Sequence, residues 1–142
     1  MILTKCPLRI SLVGGSTDMT EFIEKFHRGA VISFTPDLYT YVSIHENNTN
    51  NYIVNCTHRE QTNTICEIKN DIIRECLNYF QTPPCTITFN TNILSSGSGL
   101  ASSSSFFISM IKALNIFQNI AMTNKRIYDV AFKLEKKINP FS

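Results

Sequence analysis

The sequence has little net charge and contains no long apolar run. Its 142 residues include 13 Lys/Arg and 11 Asp/Glu, for a formal net charge of +2, and the basic residues are scattered. A charge this small, without a basic block, argues against a nucleic-acid or membrane-surface partner. Ser, Asn or Lys interrupts the longest apolar segments, so no membrane span is predicted. The 43% hydrophobic content and the length are typical of one globular domain.

Paired cysteine motifs are also missing. The five cysteines, at positions 6, 56, 66, 76 and 85, are odd in number and never form a Cys-x-x-Cys pair, and His27, His45 and His58 have no metal-ligand spacing. This pattern does not favour a zinc site. The start, Met1 to Thr4, has no basic segment followed by an apolar run. We therefore expect reduced thiols in a cytoplasmic protein without a secretory leader.

Apolar periodicity predicts a mixture of strands and helices. Strands are predicted at 8–13, 30–34, 38–45, 52–55, 64–68 and 85–90, and helices at 19–27, 71–80, 102–117 and from the Thr123 cap to Asn139. The Pro36-Asp37 turn predicts that the second and third strands form a hairpin. Because the elements lack a regular β-α-β rhythm, an α+β fold is favoured over a doubly wound sheet.

A Ser/Gly-rich segment, 94–105, separates the last predicted strand from a strongly apolar helix. Gly97 and Gly99 let the backbone approach a ligand closely, and the helix start offers unpaired amide hydrogens and a dipole that favours an anion. Serine hydroxyls at 102–105 add hydrogen-bond donors and a candidate magnesium ligand. A flexible linker is the other interpretation, but its position between strand and helix argues against that. The segment matches neither the P-loop nor the dinucleotide fingerprint, and it predicts a phosphate site.

A second polar cluster lies near the start of the chain. Arg9 interrupts an apolar strand, and Asp18 follows the Gly14-Gly15 turn. Arginine can form two hydrogen bonds to a phosphate or a hydroxyl pair, and aspartate can accept bonds from sugar hydroxyls. The alternative is that Asp18 only caps the helix at 19–27.

Both segments resemble motifs of the GHMP kinases, named for galactokinase, homoserine kinase, mevalonate kinase and phosphomevalonate kinase. Residues 95–105 are similar to the family's phosphate loop, Pro-x-Gly-x-Gly-Leu-Gly-Ser-Ser, with Ser95 in place of proline and Ala101 in place of glycine. Residues 7–18 resemble the sugar-kinase form of the first motif, Pro-x-Arg-x-x-x-x-Gly-Gly-x-Thr-Asp. They are especially similar to D-glycero-D-manno-heptose 7-phosphate kinases.

The resemblance implies a fold, two ligands and a set of site residues. Residues 1–142 would form the N-terminal ATP-binding domain, a two-layer α+β fold like domain 2 of ribosomal protein S5. ATP and Mg²⁺ would be the cofactors, and a sugar or sugar phosphate the substrate. The implied ATP-binding residues are Gly97, Ser98, Gly99, Leu100, Ala101, Ser102, Ser103 and Ser104, with Ser103 also on magnesium. The implied acceptor-side residues are Arg9, which is also the catalytic candidate, Gly14, Gly15, Thr17 and Asp18.

GHMP kinases are usually about twice this long, so we expect the chain to lack the catalytic aspartate loop and the C-terminal domain. The expected activity is γ-phosphoryl transfer from ATP to a sugar hydroxyl. The alternative is a catalytically inactive kinase-like domain that binds a nucleotide, a sugar phosphate or a protein partner. The candidate protein partners are a second copy of the chain, in a homo-oligomer, and a separate C-terminal half. A serine-nucleophile enzyme is disfavoured, because no Gly-x-Ser-x-Gly elbow is present.

Overall fold

The computed structural model describes residues 1–17, 19–93 and 102–139. The strands are β1 (Ile2–Pro7), β2 (Ile10–Val13), β3 (Ile32–Phe34), β4 (Tyr39–Glu46), β5 (Tyr52–Asn55), β6 (Arg59–Thr62) and β7 (Cys85–Thr91). The helices are α1 (Thr20–Phe26), α2 (Asp71–Phe80), α3 (Ser102–Phe117) and α4 (Asn124–Ile138), with a short 3₁₀ turn at Ile65–Glu67. Within these ranges no helix is both long enough and apolar enough to cross a membrane.

Five of the strands form one sheet in the order β1-β4-β7-β5-β6. The β5–β7 pair is parallel and the other pairs are antiparallel. Along β4 the side chains alternate, with Val42 and Ile44 fully buried and their neighbours half-exposed, as expected when one face of a sheet is covered. Helices α2, α3 and α4 provide that cover, so the predicted two-layer α+β fold is confirmed.

Helix α3 is the centre of the helical layer. Its buried side chains, among them Phe107, Met110, Ile111 and Leu114, face the sheet on one side and α2 and α4 on the other. A helix that is apolar nearly all round is stable only when it is enclosed in this way. The sequence-based interpretation of 102–117 as a buried core helix is therefore correct.

Two expectations for the strands are wrong. The predicted hairpin does not form, because β3 pairs with β2, whereas β4 lies between β1 and β7. The predicted strand at 64–68 is instead the 3₁₀ turn. There the Glu67 carboxylate accepts hydrogen bonds from the amides of Asn63 and Thr64, at 3.1 and 3.3 Å. Local capping of this kind outweighs weak strand alternation.

Candidate functional site

In the sequence, the phosphate-loop motif connects strand β7 to the buried helix α3. Strand β7 occupies the middle of the five-stranded sheet, and α3 begins at Ser102. The predicted ATP-binding residues Gly97, Ser98, Gly99, Leu100 and Ala101 lie outside the described residues. Ser102, Ser103 and Ser104 form the first turn of α3 and are half-buried. The start of an enclosed helix is therefore adjacent to the loop, as an anion site at a helix N-terminus requires.

Ser105 fastens this first turn to the sheet. Its Oγ lies 3.0 Å from the Cys6 carbonyl oxygen, 3.1 Å from the Pro7 carbonyl oxygen and 2.8 Å from Oγ1 of Thr40. The hydroxyl can donate to one carbonyl at a time and accept from Thr40. Thr40 is fully buried and also lies 3.1 Å from Oγ of Ser109. The chain of hydroxyls holds the N-terminus of α3 against β1 and β4.

Glu135 of α4 reaches the same turn. Ser103 donates a hydrogen bond to its carboxylate at 2.9 Å, and Ser104 donates at 2.8 Å. The carboxylate also lies next to the positive end of the α3 dipole, which favours an anion there. The sequence analysis did not predict Glu135 as a site residue. One signal was available, since an acidic residue in the last turn of α4, beside Lys136 and Lys137, opposes that helix's own dipole.

The arrangement is suited to a hard cation bound together with phosphate. Magnesium takes oxygen ligands and is usually held by one or two carboxylates plus the phosphates of the substrate. The hydroxyls of Ser103 and Ser104 each lie within 2.9 Å of the Glu135 carboxylate, so all three side chains offer oxygen ligands at this point. In the described part of the chain, no cluster of three or more His, Cys, Asp or Glu could hold a metal by itself. Magnesium would therefore need the phosphates as partners.

The N-terminal motif forms a tight turn closed by Thr17. Its hydroxyl lies 2.8 Å from the Gly14 carbonyl oxygen and 3.0 Å from that of Ala30, and it accepts from the Ala30 amide at 3.1 Å. Gly14 has a φ of +82°, and a Cβ there would lie within 2.9 Å of the Ala30 carbonyl carbon. Gly29 is equally close to Thr17. The Thr17 hydroxyl thus holds the loop together, and among the described residues it accepts one hydrogen bond of the two that a hydroxyl can accept.

The structure brings the two motifs together through the end of β1. Pro7, whose carbonyl oxygen contacts Ser105, is two residues before Arg9. Arg9 is exposed between β1 and β2, and Gly15 is exposed with open space around its Cα. Asp18 lies outside the described residues. The contact therefore places the candidate acceptor-side arginine near the first turn of α3, although the motifs are about 80 residues apart.

A surface cavity lies away from both motifs. A cavity of about 490 Å³ is lined by residues at the other end of α3, including Phe117 and Gln118. It shares no lining residue with either motif.

Comparison with known proteins gives concordant matches. The family model described as the N-terminal domain of GHMP kinases matches residues 63–140, more than half of the chain. The D-glycero-alpha-D-manno-heptose 7-phosphate kinase of Campylobacter jejuni is 27% identical over 96% of the chain. These matches confirm the resemblance seen in the two motifs.

Solved structures of kinases share the fold. A D-glycero-D-manno-heptose 1-phosphate kinase from Bacteroides thetaiotaomicron superposes on the whole chain with a TM-score of 0.83 at 21% identity. The mevalonate kinase of Methanococcus jannaschii covers 98% of the chain with a TM-score of 0.75 at 23% identity. The chain spans 43% of the Campylobacter enzyme, 50% of the Bacteroides protein and 47% of the Methanococcus protein.

Proposed function

Because the chain belongs to the GHMP kinase family, we propose that it forms the ATP-binding part of a kinase that phosphorylates a sugar hydroxyl. The observation that carries the proposal is the first turn of α3, where Ser103 and Ser104 meet Glu135. A carboxylate and two hydroxyls at the start of an enclosed helix fit a magnesium–nucleotide better than a free anion, which the carboxylate would repel.

The proposed mechanism depends on positioning and charge. The amides at the start of α3 would hold the phosphates of ATP, with residues 97–104 around them. Ser103 and Glu135 would hold Mg²⁺, which when bound supplies positive charge at the phosphates. Arg9 would stabilise charge that develops on the transferred phosphoryl group.

The sugar that accepts the phosphoryl group would bind beside the Gly14–Thr17 turn. In the proposal Gly14, Gly15, Thr17 and Asp18 contact the sugar, with Thr17 both closing the turn and offering its second acceptor position. A heptose phosphate-like acceptor is supported by the two heptose phosphate kinases among the relatives. The proposed location is the cytoplasm, in keeping with five free cysteine thiols.

The nucleotide site is tested by isothermal titration with ATP, with and without Mg²⁺. We expect magnesium-dependent binding that Ser103→Ala and Glu135→Gln each weaken by about tenfold or more, because a contact with a charged group is worth about 1.5–3 kcal/mol. Glu135→Gln removes the repulsion as well, so it should bind magnesium-free ATP more tightly than the wild type does. Asp129→Asn is the control, since Asp129 is exposed on the same helix.

Absence of binding at millimolar ATP, or equal magnesium dependence in Glu135→Gln and the wild type, would contradict the proposed site. A coupled assay for ADP release with heptose phosphates and hexoses then separates the two candidate functions. The assay is run on this chain and on a longer chain that includes the C-terminal half. ADP release by the longer chain supports a kinase, whereas nucleotide binding without release by either chain supports the inactive binding domain.

A further inference from the structure

Three successive serines in the first turn of α3 contact two different parts of the fold. Ser103 and Ser104 reach Glu135 on α4. Ser105 instead reaches the end of β1, where its Oγ lies 3.1 Å from the Pro7 carbonyl oxygen. The side chain of Ser105 is buried, so water does not compete for this contact. One turn of helix thus touches both the candidate magnesium site and the strand that leads to the N-terminal motif.

The peptide group between Pro7 and Leu8 is held on both sides. Its carbonyl oxygen lies within hydrogen-bond distance of Ser105, and its amide donates to the Leu38 carbonyl oxygen at 2.8 Å. Among the described residues, Ser105 supplies the only side-chain hydrogen bond to that carbonyl. The Leu8 side chain is itself buried in the protein. Because a peptide group is planar, holding its two polar ends fixes the direction in which the chain continues.

The next residue along the chain is Arg9, which is exposed between β1 and β2. Two residues of extended chain span at most about 7 Å, so the Cα of Arg9 lies close to the carbonyl group that Ser105 contacts. An exposed arginine has many rotamers and loses that freedom when it binds a ligand. The fixed backbone before Arg9 therefore limits where its guanidinium can go.

We propose that Ser105 is a positioning residue, whose hydroxyl fixes the backbone before Arg9 and so sets where the guanidinium meets the third phosphate of ATP. This inference rests on the proposed function, because it needs ATP at the start of α3. It adds a direct connection between the two motifs, since the helix whose amides would hold the phosphates also holds the strand that leads to the arginine. The consequence is a preference for ATP over ADP, which has no third phosphate.

The test compares the affinities for Mg²⁺–ATP and Mg²⁺–ADP by isothermal titration. We expect Ser105→Ala to weaken ATP binding relative to ADP binding by about two- to fivefold, the range for a contact between exposed charges. Arg9→Ala should change the ratio in the same direction. In the double variant Ser105→Ala should add little, because the serine acts through the arginine.

Two conservative variants separate the hydroxyl from the volume of the side chain. Ser105→Thr keeps the hydroxyl and should keep the wild-type ratio of the two affinities. Ser105→Cys nearly keeps the volume but donates only a weak hydrogen bond, so it should shift the ratio as Ser105→Ala does. The cysteine variant gives the same comparison without the gap that alanine leaves in the core.

Ser109→Ala is the matched control. Ser109 is fully buried one turn further along α3, and its Oγ lies 3.1 Å from Oγ1 of Thr40, but among the described contacts it does not reach the Pro7 carbonyl. It should leave the ratio of the two affinities unchanged. Equal losses of ATP and ADP affinity in Ser105→Ala, an unchanged ratio, or additive effects of Ser105→Ala and Arg9→Ala would overturn this inference alone. A wild-type chain that binds neither nucleotide would overturn the proposed function with it.

Discussion

Replacing Gly29 by alanine tests how the turn at Gly14–Thr17 is held. A Cβ at Gly29 would overlap the carbonyl oxygen of Thr17 and lie within 2.7 Å of its carbonyl carbon. Since carbon atoms in contact prefer separations of about 3.5–4.0 Å, one backbone segment must move by about 1 Å. The three Thr17 hydroxyl contacts, now at 2.8–3.1 Å, would then exceed hydrogen-bond range.

The expected cost follows from those contacts. The hydroxyl can donate one bond and accept one from Ala30, so two bonds are lost, worth about 1–3 kcal/mol together. Alanine returns about 0.4–1 kcal/mol by restricting the unfolded chain. The midpoints of these ranges leave a net local loss of about 1 kcal/mol, which should speed hydrogen exchange of the Ala30 amide by about fivefold, as measured by mass spectrometry or NMR.

Gly15→Ala is the matched control, because a Cβ at Gly15 meets nothing within 4 Å. Its Ala30 amide should exchange at the wild-type rate. The reasoning fails if Gly29→Ala leaves that rate unchanged, or if Gly15→Ala raises it equally.

Two further predictions concern the anchoring of α3 and the buried thiols. Ser105→Ala should lower the free energy of unfolding in urea by about 1–3 kcal/mol, because it removes the side-chain donor to a carbonyl at the end of β1 and one of the two serine partners of Thr40. Ser102→Ala on the same turn should stay within about 0.5 kcal/mol, and equal costs would refute the anchoring role. Burial raises the pKa of Cys85 from 9.0 to about 12, so its contribution to stability is complete below pH 9 and is lost as pH rises towards 12. Urea midpoints should therefore fall above pH 9, and less steeply in Cys85→Ala; parallel profiles would contradict this.

The helices could be predicted because their signals are local. In α2 the apolar spacing and the following Pro83-Pro84 define the segment that the structure contains, Asp71–Phe80. In α4 the Thr123 side chain accepts a hydrogen bond from the Arg126 amide at 3.3 Å, as the cap predicted. Signals of this kind depend on neighbours within one turn.

Strand pairing could not be predicted in the same way. The Pro36-Asp37 turn shows where the chain bends, but it does not say which strands become partners. Strand β4 pairs with β1 on one edge and with β7 on the other, so neither edge is free for β3. Strand β1 was missed altogether, and the strand predicted at 8–13 begins at Ile10.

The candidate site likewise contains residues that the sequence could predict and one that it could not. The motifs marked Arg9 and Ser103, because those residues stand at fixed spacings from glycines. Glu135 joins the site from 31 and 32 residues beyond Ser104 and Ser103, and only the packing of α4 on α3 makes the contact. A residue that arrives by tertiary packing has no spacing rule to reveal it.

The hydroxyls between α3 and the sheet also act as a positional lock. Ser105 and Ser109 are four residues apart, so both face Thr40 from one side of the helix. If α3 slipped by one turn, about 5.4 Å, Ala113 would take the place of Ser109 and Ser109 that of Ser105, so the buried Thr40 hydroxyl would lose one of its two serine partners. The lock therefore sets where Ser103 and Ser104 stand relative to the sheet, and with them the depth at which a phosphate would bind.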